Sequence, residues 1–189
     1  MSGTYRNYTK RLLIRSFQSI DTHDFFRLFT HPRVNSSLGA NPLFSKPHRV
    51  IRFLEQMSIQ RNAIHSWLLY SIFERFHNRL IGGCGLKLNR EETGTEIFYL
   101  LYPGYWGKGF AVEACLPVLK NTFVEFHLQN INAYILPENI RGQRVAAKLG
   151  FRFLKVVNLN RYGQTGKVQK WMINMRSFND LLLKKYSQQ

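Results

Sequence analysis

Cysteine is scarce. Cys84 and Cys115 are the only two, both sit in apolar segments, and neither has the spacing of a metal ligand. That excludes a disulfide-stapled scaffold and a zinc module, and it reads as two buried thiols in a reducing cytosol. The six histidines, His23, His31, His48, His65, His77 and His127, form no metal spacing either, so no metal is expected. No apolar run approaches the ~18 residues needed to cross a bilayer, which removes a membrane-spanning helix from the expectations. The opening MSGTYRNYTKRLLIRS lacks a continuous apolar stretch and does not read as a secretory signal. A cytoplasmic protein is expected.

Acids are scarce as well. Eleven Asp and Glu face 27 Lys and Arg, a net charge of +16. The imbalance concentrates at residues 141–189, where eleven Lys or Arg stand against one acid, Asp180, a balance of +10. Such a field attracts phosphates, whether of a nucleotide cofactor, an RNA or a lipid; it also serves plain solubility. Signatures of an RRM or KH domain are missing. Proximity to RNA or a ribosome is therefore an expectation resting on charge alone.

What is present is a foldable chain of 189 residues, 44% of them apolar, which predicts a single domain over 1–189. The patterns predict a strand over Leu12–Phe17, a helix over Asp21–Thr30, a loop over 31–46 and a helix from about Pro47 to Gln60. Three strand-like runs follow, Trp67–Glu74, Leu80–Asn89 and Thr95–Tyr102. Turn-length breaks separate them, so antiparallel neighbours are expected. A helix over Phe110–Phe126 presents Val112, Cys115, Leu116, Leu119, Phe123 and Phe126 on one face, with Pro117 expected to kink it. Ile131–Leu136 reads as a strand. Asn139 caps a helix to Leu149, and Gly150 ends it. Arg152–Asn160 and Lys170–Arg176 read as a last strand pair around the YGQTG turn. The sum is α+β and mostly antiparallel, with one strand–helix–strand unit over 95–136.

At the centre of that unit stands YWGKGFA, residues 105–111. A strand, a glycine-rich turn and a helix start form an anion site, because the first helical amides lack internal partners and glycines admit a phosphate to the backbone. Gly104 and Gly109 have P-loop separation, but Phe110 and Ala111 follow where Lys and Ser/Thr belong. A dinucleotide fingerprint from Gly107 and Gly109 fails at Val112, and the mostly antiparallel sheet is wrong for it.

The stretch resembles the coenzyme A pyrophosphate loop of the GNAT superfamily of N-acetyltransferases, Arg/Gln-x-x-Gly-x-Gly/Ala. Trp106, Gly107, Lys108, Gly109, Phe110 and Ala111 fill it, with Trp106 in place of the usual Arg or Gln. The longer wording, with Glu113 and Ala114, resembles the branch holding the Rim-type acetyltransferases of ribosomal protein N-termini. LPENIRGQRVAAKLGF, Leu136–Phe151, is similar to that branch's Asn-x-x-Ser-x-Arg…Leu-Gly-Phe motif through Asn139, Arg144, Leu149, Gly150 and Phe151. RLLIRSFQSIDTHDFFRLFTHPRV resembles its first strand and helix. The resemblance spans about Arg11–Phe178. It departs at Gly142, where the branch has Ser, and at Ala146, where other branches carry a tyrosine acid.

The resemblance implies a GNAT-like fold, with helices on both faces of a mixed sheet splayed at the cofactor strand. It also implies acetyl-CoA as co-substrate, and direct acetyl transfer to an amine without a covalent acetyl-enzyme. It places the pyrophosphate on Trp106–Ala111 and the pantetheine arm against backbone groups of Leu101 and Tyr102. Asn139 is a helix cap, a contact to the cofactor arm, or both; Arg144 joins the cofactor contacts; Lys108 pairs a phosphate or is simply solvated. Glu96 is the candidate base. Alternation sets it with Phe98, Leu100 and Tyr102 on one strand face, where partial desolvation favours taking a proton. The acceptor is a protein N-terminal amine or a small amine, bound by residues 21–60 and the YGQTG region. A GNAT-fold module that holds coenzyme A or RNA without catalysis is the rival, motivated by Gly142 and Ala146. The sequence leaves the oligomeric state open.

Overall fold

Alternation along residues 96–102 sorts the interior into two apolar layers. Ile97 and Leu101 are buried in one cluster and Leu100 in the other, as the period of two in a strand demands. In the computed structural model, which describes residues 5–39, 44, 46–59, 65–89, 94–161 and 164–187, this run is the fifth strand of an eight-stranded sheet. The strands are β1 (Arg6–Tyr8), β2 (Leu12–Ser16), β3 (His65–Glu74), β4 (Arg79–Asn89), β5 (Glu96–Leu101), β6 (Asn130–Ile135), β7 (Arg152–Arg161) and β8 (Gln164–Asn174). They lie in the order β1-β2-β3-β4-β5-β6-β8-β7. All neighbours are antiparallel except β5 and β6.

Helices α1 (Thr22–Thr30), α2 (Pro32–Ser37) and α3 (Pro47–Ile59) cover one face, burying Phe25, Val34 and Leu54 with Leu100. Helices α4 (Phe110–Glu125), α5 (Ile140–Lys148) and α6 (Met175–Tyr186) cover the other, burying Leu119, Ala146 and Phe178 with Ile97. The expected α+β architecture is what forms. β4 follows the closeness of these layers: a Cβ on Gly83 would lie 2.5 Å from the Phe25 ring.

Several boundaries depart from expectation. The predicted loop over 31–46 contains α2: Pro32 takes the first helical turn, where its missing N–H costs nothing, and the His31 ring accepts from the Arg33 amide at 3.2 Å. The rest of that loop, 40–43 and 45, lies outside the described residues, as do Gln60, residues 90–93 of the turn before β5, and Tyr162 and Gly163 of YGQTG. β8 starts at Gln164 and ends at Asn174, not Arg176, because the Asn174 side chain caps α6 by accepting from the Ser177 amide at 2.8 Å. β1 and α6 were not anticipated. α4 is one helix with Pro117 inside it, and it is buried over a wider arc than one apolar stripe, since Ala114, Val118 and Thr122 are buried alongside Cys115, Leu119 and Phe123. Gly150 takes φ 88°, and the Phe151 amide reaches back to the Ala146 carbonyl at 3.0 Å, the left-handed stop that the sequence predicts.

Candidate active site

β5 and β6 are parallel neighbours that share a single register pair, Glu96 with Asn132. Beyond it they part, and the sheet opens toward the C-terminal end of β5. Which backbone groups face that opening follows from the other edge of β5. Tyr102 donates its N–H to the Ile81 carbonyl at 2.9 Å, so alternate residues back to Glu96 bond toward β4. Ile97, Tyr99 and Leu101 therefore present their backbone toward β6. Of the two residues predicted to meet a pantetheine arm, Leu101 faces the opening. Tyr102 does not: its N–H goes to Ile81, and its carbonyl accepts from Tyr105 at 2.9 Å. Tyr99, which sequence reasoning missed, faces the opening with Leu101.

The glycine turn lies at the end of this strand, after a short 3-10 turn over Pro103–Tyr105. Gly107 and Gly109 both take left-handed backbone, φ 76° and 79°, a region disfavoured for side-chain-bearing residues. Gly109 is the N-cap of α4 and no side chain caps that helix, so its first amides are left for a ligand. A Cβ at Gly107 would meet nothing within 4 Å. An open, left-handed, uncapped helix start fits an anion such as a pyrophosphate.

A clasp from the far N-terminus holds this turn. Arg11 donates Nη1 to the Lys108 carbonyl at 3.0 Å and Nε to Glu113 Oε2 at 2.7 Å, with its guanidinium carbon 4.1 Å from the Phe110 ring centroid. The Arg11 amide and the Thr9 hydroxyl donate to Glu113 Oε1 at 2.9 and 2.6 Å. Partial burial opposes ionisation of Glu113, but these hydrogen bonds and the Arg11 charge outweigh it and hold its carboxyl below the usual range. Sequence reasoning missed Arg11, whose partner lies 102 residues away. Lys108 is exposed, its ammonium 5.9 Å from the Tyr105 ring centroid.

Trp106 lies beside the opening. Its indole N–H donates to the Leu101 carbonyl at 2.7 Å. Among the described residues it is the one partly buried side chain packed against both apolar clusters. Arg33 of α2 and Arg141 of α5 lie against its ring, 5.1 and 5.3 Å from the centroid. Phe110 is buried and Ala111 half-buried at the start of α4.

Asn139 acts as the predicted cap, accepting from the Gly142 amide at 2.9 Å, and it also donates to the Ser37 carbonyl at 3.2 Å, which ties α5 to α2. A Cβ at Gly142 would come within 2.9 Å of that Asn139 amide, so the missing serine is exchanged for tight packing on the cap. Arg144 is exposed, and its side chain makes no hydrogen bond or ion pair among the described residues. The Tyr99 hydroxyl donates to the Gly142 carbonyl at 2.8 Å. Burial, with Cys115 nearby, holds that phenol far above its ordinary value. Tyr102 donates its hydroxyl to the Asp24 carbonyl at 2.9 Å, and burial first, then the Asp24 charge, raises its pKa. Glu96 is half-buried at the first residue of β5, in register with Lys87 of β4 and Asn132 of β6. Cys84 and Cys115 are fully buried free thiols, and their mutual hydrogen bond and burial push Cys115 well up. Among the described residues no cluster of His, Cys, Asp and Glu could hold a metal.

The fold is a mixed, mostly antiparallel sheet that opens beside an uncapped, glycine-started helix. Residues 11–152 match the acetyltransferase (GNAT) domain, and the chain belongs to that family. It is 28% identical over 148 residues to an uncharacterized N-acetyltransferase, p20, of Bacillus licheniformis, covering 77% of this chain and 81% of that one. It is 34% identical over 160 residues to the uncharacterized protein YkkB of Bacillus subtilis, covering 83% and 91%. Among solved structures, the spermidine N-acetyltransferase of Vibrio cholerae in complex with CoA and spermine matches with TM-score 0.74 at 17% identity, over 90% of this chain and 99% of that one. The ribosomal-protein-S5-alanine acetyltransferase of Vibrio fischeri matches with TM-score 0.70 at 17% identity, over 90% and 96%. At such identities the likeness establishes the fold.

Proposed function

We propose that the protein transfers an acetyl group from acetyl-CoA directly to an amine. The observation that carries this reading is the open glycine turn and uncapped start of α4, set where β5 parts from β6. Bound acetyl-CoA supplies an acyl group already activated as a thioester. The chain supplies the rest. Amides of Gly107 to Ala111 hold the phosphates, and Lys108 and Arg144 add positive charge nearby. Tyr99 and Leu101 offer backbone groups along the opening, and Asn139 holds the start of α5 beside it. Glu96 takes the proton that an ammonium must lose before its nitrogen can attack. Gly142 and Ala146 carry no hydroxyl, and the Tyr99 phenol, held far above its ordinary value and donating to the Gly142 carbonyl, is too weak an acid; the thiolate leaves as the anion and takes its proton from water.

The acceptor is a primary amine. The Rim-type resemblance favours a protein N-terminus; a small amine is the other choice, and relatives of this fold acetylating spermidine and a ribosomal protein match comparably well. The charge of +16 suits an RNA-rich setting through its field. The second reading, a domain that holds coenzyme A without catalysis, is motivated by the same two missing hydroxyls.

Thiol release from acetyl-CoA, measured against pooled amines and N-terminal peptides, tests the choice. Acceptor-dependent release is expected, falling about 10²- to 10⁴-fold in Glu96→Gln, the usual worth of a general base, while acetyl-CoA affinity stays unchanged. No release in the presence of measured acetyl-CoA binding supports the non-catalytic reading. Full turnover in Glu96→Gln removes Glu96 from the chemistry.

A further inference from the structure

Two guanidinium groups from opposite faces of the sheet converge on one indole ring. Arg33 belongs to α2 and Arg141 to the first turn of α5, and their guanidinium carbons lie 5.1 and 5.3 Å from the Trp106 centroid. The ring is fixed by its bond to the Leu101 carbonyl, and the two helices by the Asn139–Ser37 hydrogen bond. The two charges therefore lie at most about 10 Å apart, roughly one Debye length at ordinary ionic strength. Both arginines are exposed, and neither makes an ion pair or side-chain hydrogen bond among the described residues. The contrast within the chain is sharp. Arg11 and Arg15, which hold structure together, each clasp a carboxylate, Glu113 and Asp21. Arg33 and Arg141 clasp no carboxylate among the described residues and lie against the Trp106 ring instead. Nearby on the same side stand Arg27 and Asp24, both close enough to act on Tyr102, and the His31 ring, 6.4 Å from that of Tyr102. The acids to weigh against them are Asp24, which acts on Tyr102, and the exposed Glu138, three residues before Arg141.

We propose that Arg33 and Arg141 bind a carboxylate on the acceptor, so that the substrate is an amine with an acidic group a few bonds from its nitrogen. The inference rests on the acetyl-transfer reading and names its substrate class. A guanidinium fork matches a carboxylate in a planar, two-bond geometry that an acceptor carrying only ammonium groups cannot offer. Two positive charges that pair with no carboxylate among the described residues also disfavour a polyamine and gather anions. The phosphates of the cofactor have their own seat on the backbone of Gly107 to Ala111, at the uncapped start of α4 and beside Lys108. Arg33 instead comes from α2, within the region expected to line the acceptor side.

The test uses the intact protein at saturating acetyl-CoA, with thiol release as the readout and acetyl-CoA affinity measured in parallel by calorimetry. Acceptors are glutamate and aspartate, their side-chain and main-chain amides, spermidine, and C-terminally amidated peptides with Glu, Gln or Lys at the second position. The expected result is a kcat/KM at least tenfold higher for carboxylate acceptors than for matched amides, with spermidine poorest. Free amino acids against the peptides tell whether the carboxylate is the acceptor's own or that of a following side chain. R33Q and R141Q should each raise the acceptor KM at least fivefold, with kcat and the KM for acetyl-CoA within twofold of wild type; R33E should move preference toward cationic acceptors. Both positions are exposed, and thermal melts check that the variants fold. Equal use of acids and amides overturns the proposal, as does a preference for spermidine. Arginine variants that raise the acetyl-CoA KM alone assign the pair to cofactor phosphates and also overturn it. If no acceptor in the panel reacts the proposal is wrong, and the parallel calorimetry shows whether cofactor binding fails with it.

Discussion

At Gly107 the backbone and the space around it make separable demands. Its φ of 76° strains any side-chain-bearing residue, while a Cβ there would touch no protein atom within 4 Å. Gly104 has the same open surroundings without positive φ. Gly107→Ala should therefore cost about 1–2 kcal/mol of backbone strain, a fall in Tm of several degrees for a chain of this size. It should also weaken acetyl-CoA about tenfold or more by intruding on a charge-assisted contact. Gly104→Ala should change neither by much. Equal affinity in Gly107→Ala, measured by calorimetry, would show that the turn does not seat the phosphates. Single residues of this kind were legible in the sequence because glycine, proline and helix-cap residues act through local backbone. Arg11 was not, since its meaning depends on Glu113 across the sheet, and neither was Tyr99, whose hydroxyl acquires a partner only when α5 packs over β5.

Between elements, the clasp of the β1–β2 hairpin on α4 is the contact that steadies the glycine turn. Folding lowers the Glu113 pKa, so the folded state binds fewer protons there than the unfolded chain. The stability this contributes is complete above the ordinary carboxylate value of about 4.3 and is lost as pH falls through the folded value. The difference in Tm between wild type and Glu113→Gln should be largest near neutral pH and shrink as the solution becomes acid. A difference that stays constant to low pH would mean that the amide disturbs packing and that the charge plays no part. At this scale long periodic elements such as α4 and the three central strands could be read from pattern. α2 could not, because Pro, Asn and Ser signal a loop by composition, and only the His31 cap turns them into a helix. α6 carried a legible signal that went unused: an Asn–x–x–Ser start followed by Phe178, Leu181 and Leu182 at helical spacing.

Across the molecule, one parallel pair in an otherwise antiparallel sheet creates the opening, and everything assigned to the site is arranged along it. The glycine turn, with Arg11 behind it, stands at one end of β5 and Glu96 at the other, while α2 and α5 close over Trp106. The alternation of β5 made the two-layer core readable from sequence; the divergence of β5 and β6 was expected only through family resemblance, since no local pattern encodes where two strands part. Acetyl transfer requires that opening to be a cofactor site. Isothermal titration of acetyl-CoA into the purified protein tests it most directly. Saturable binding of one acetyl-CoA per site, with a Kd below about 1 mM and weakened by Gly107→Ala, is the predicted result. A folded protein that binds no acetyl-CoA up to millimolar concentration would contradict it.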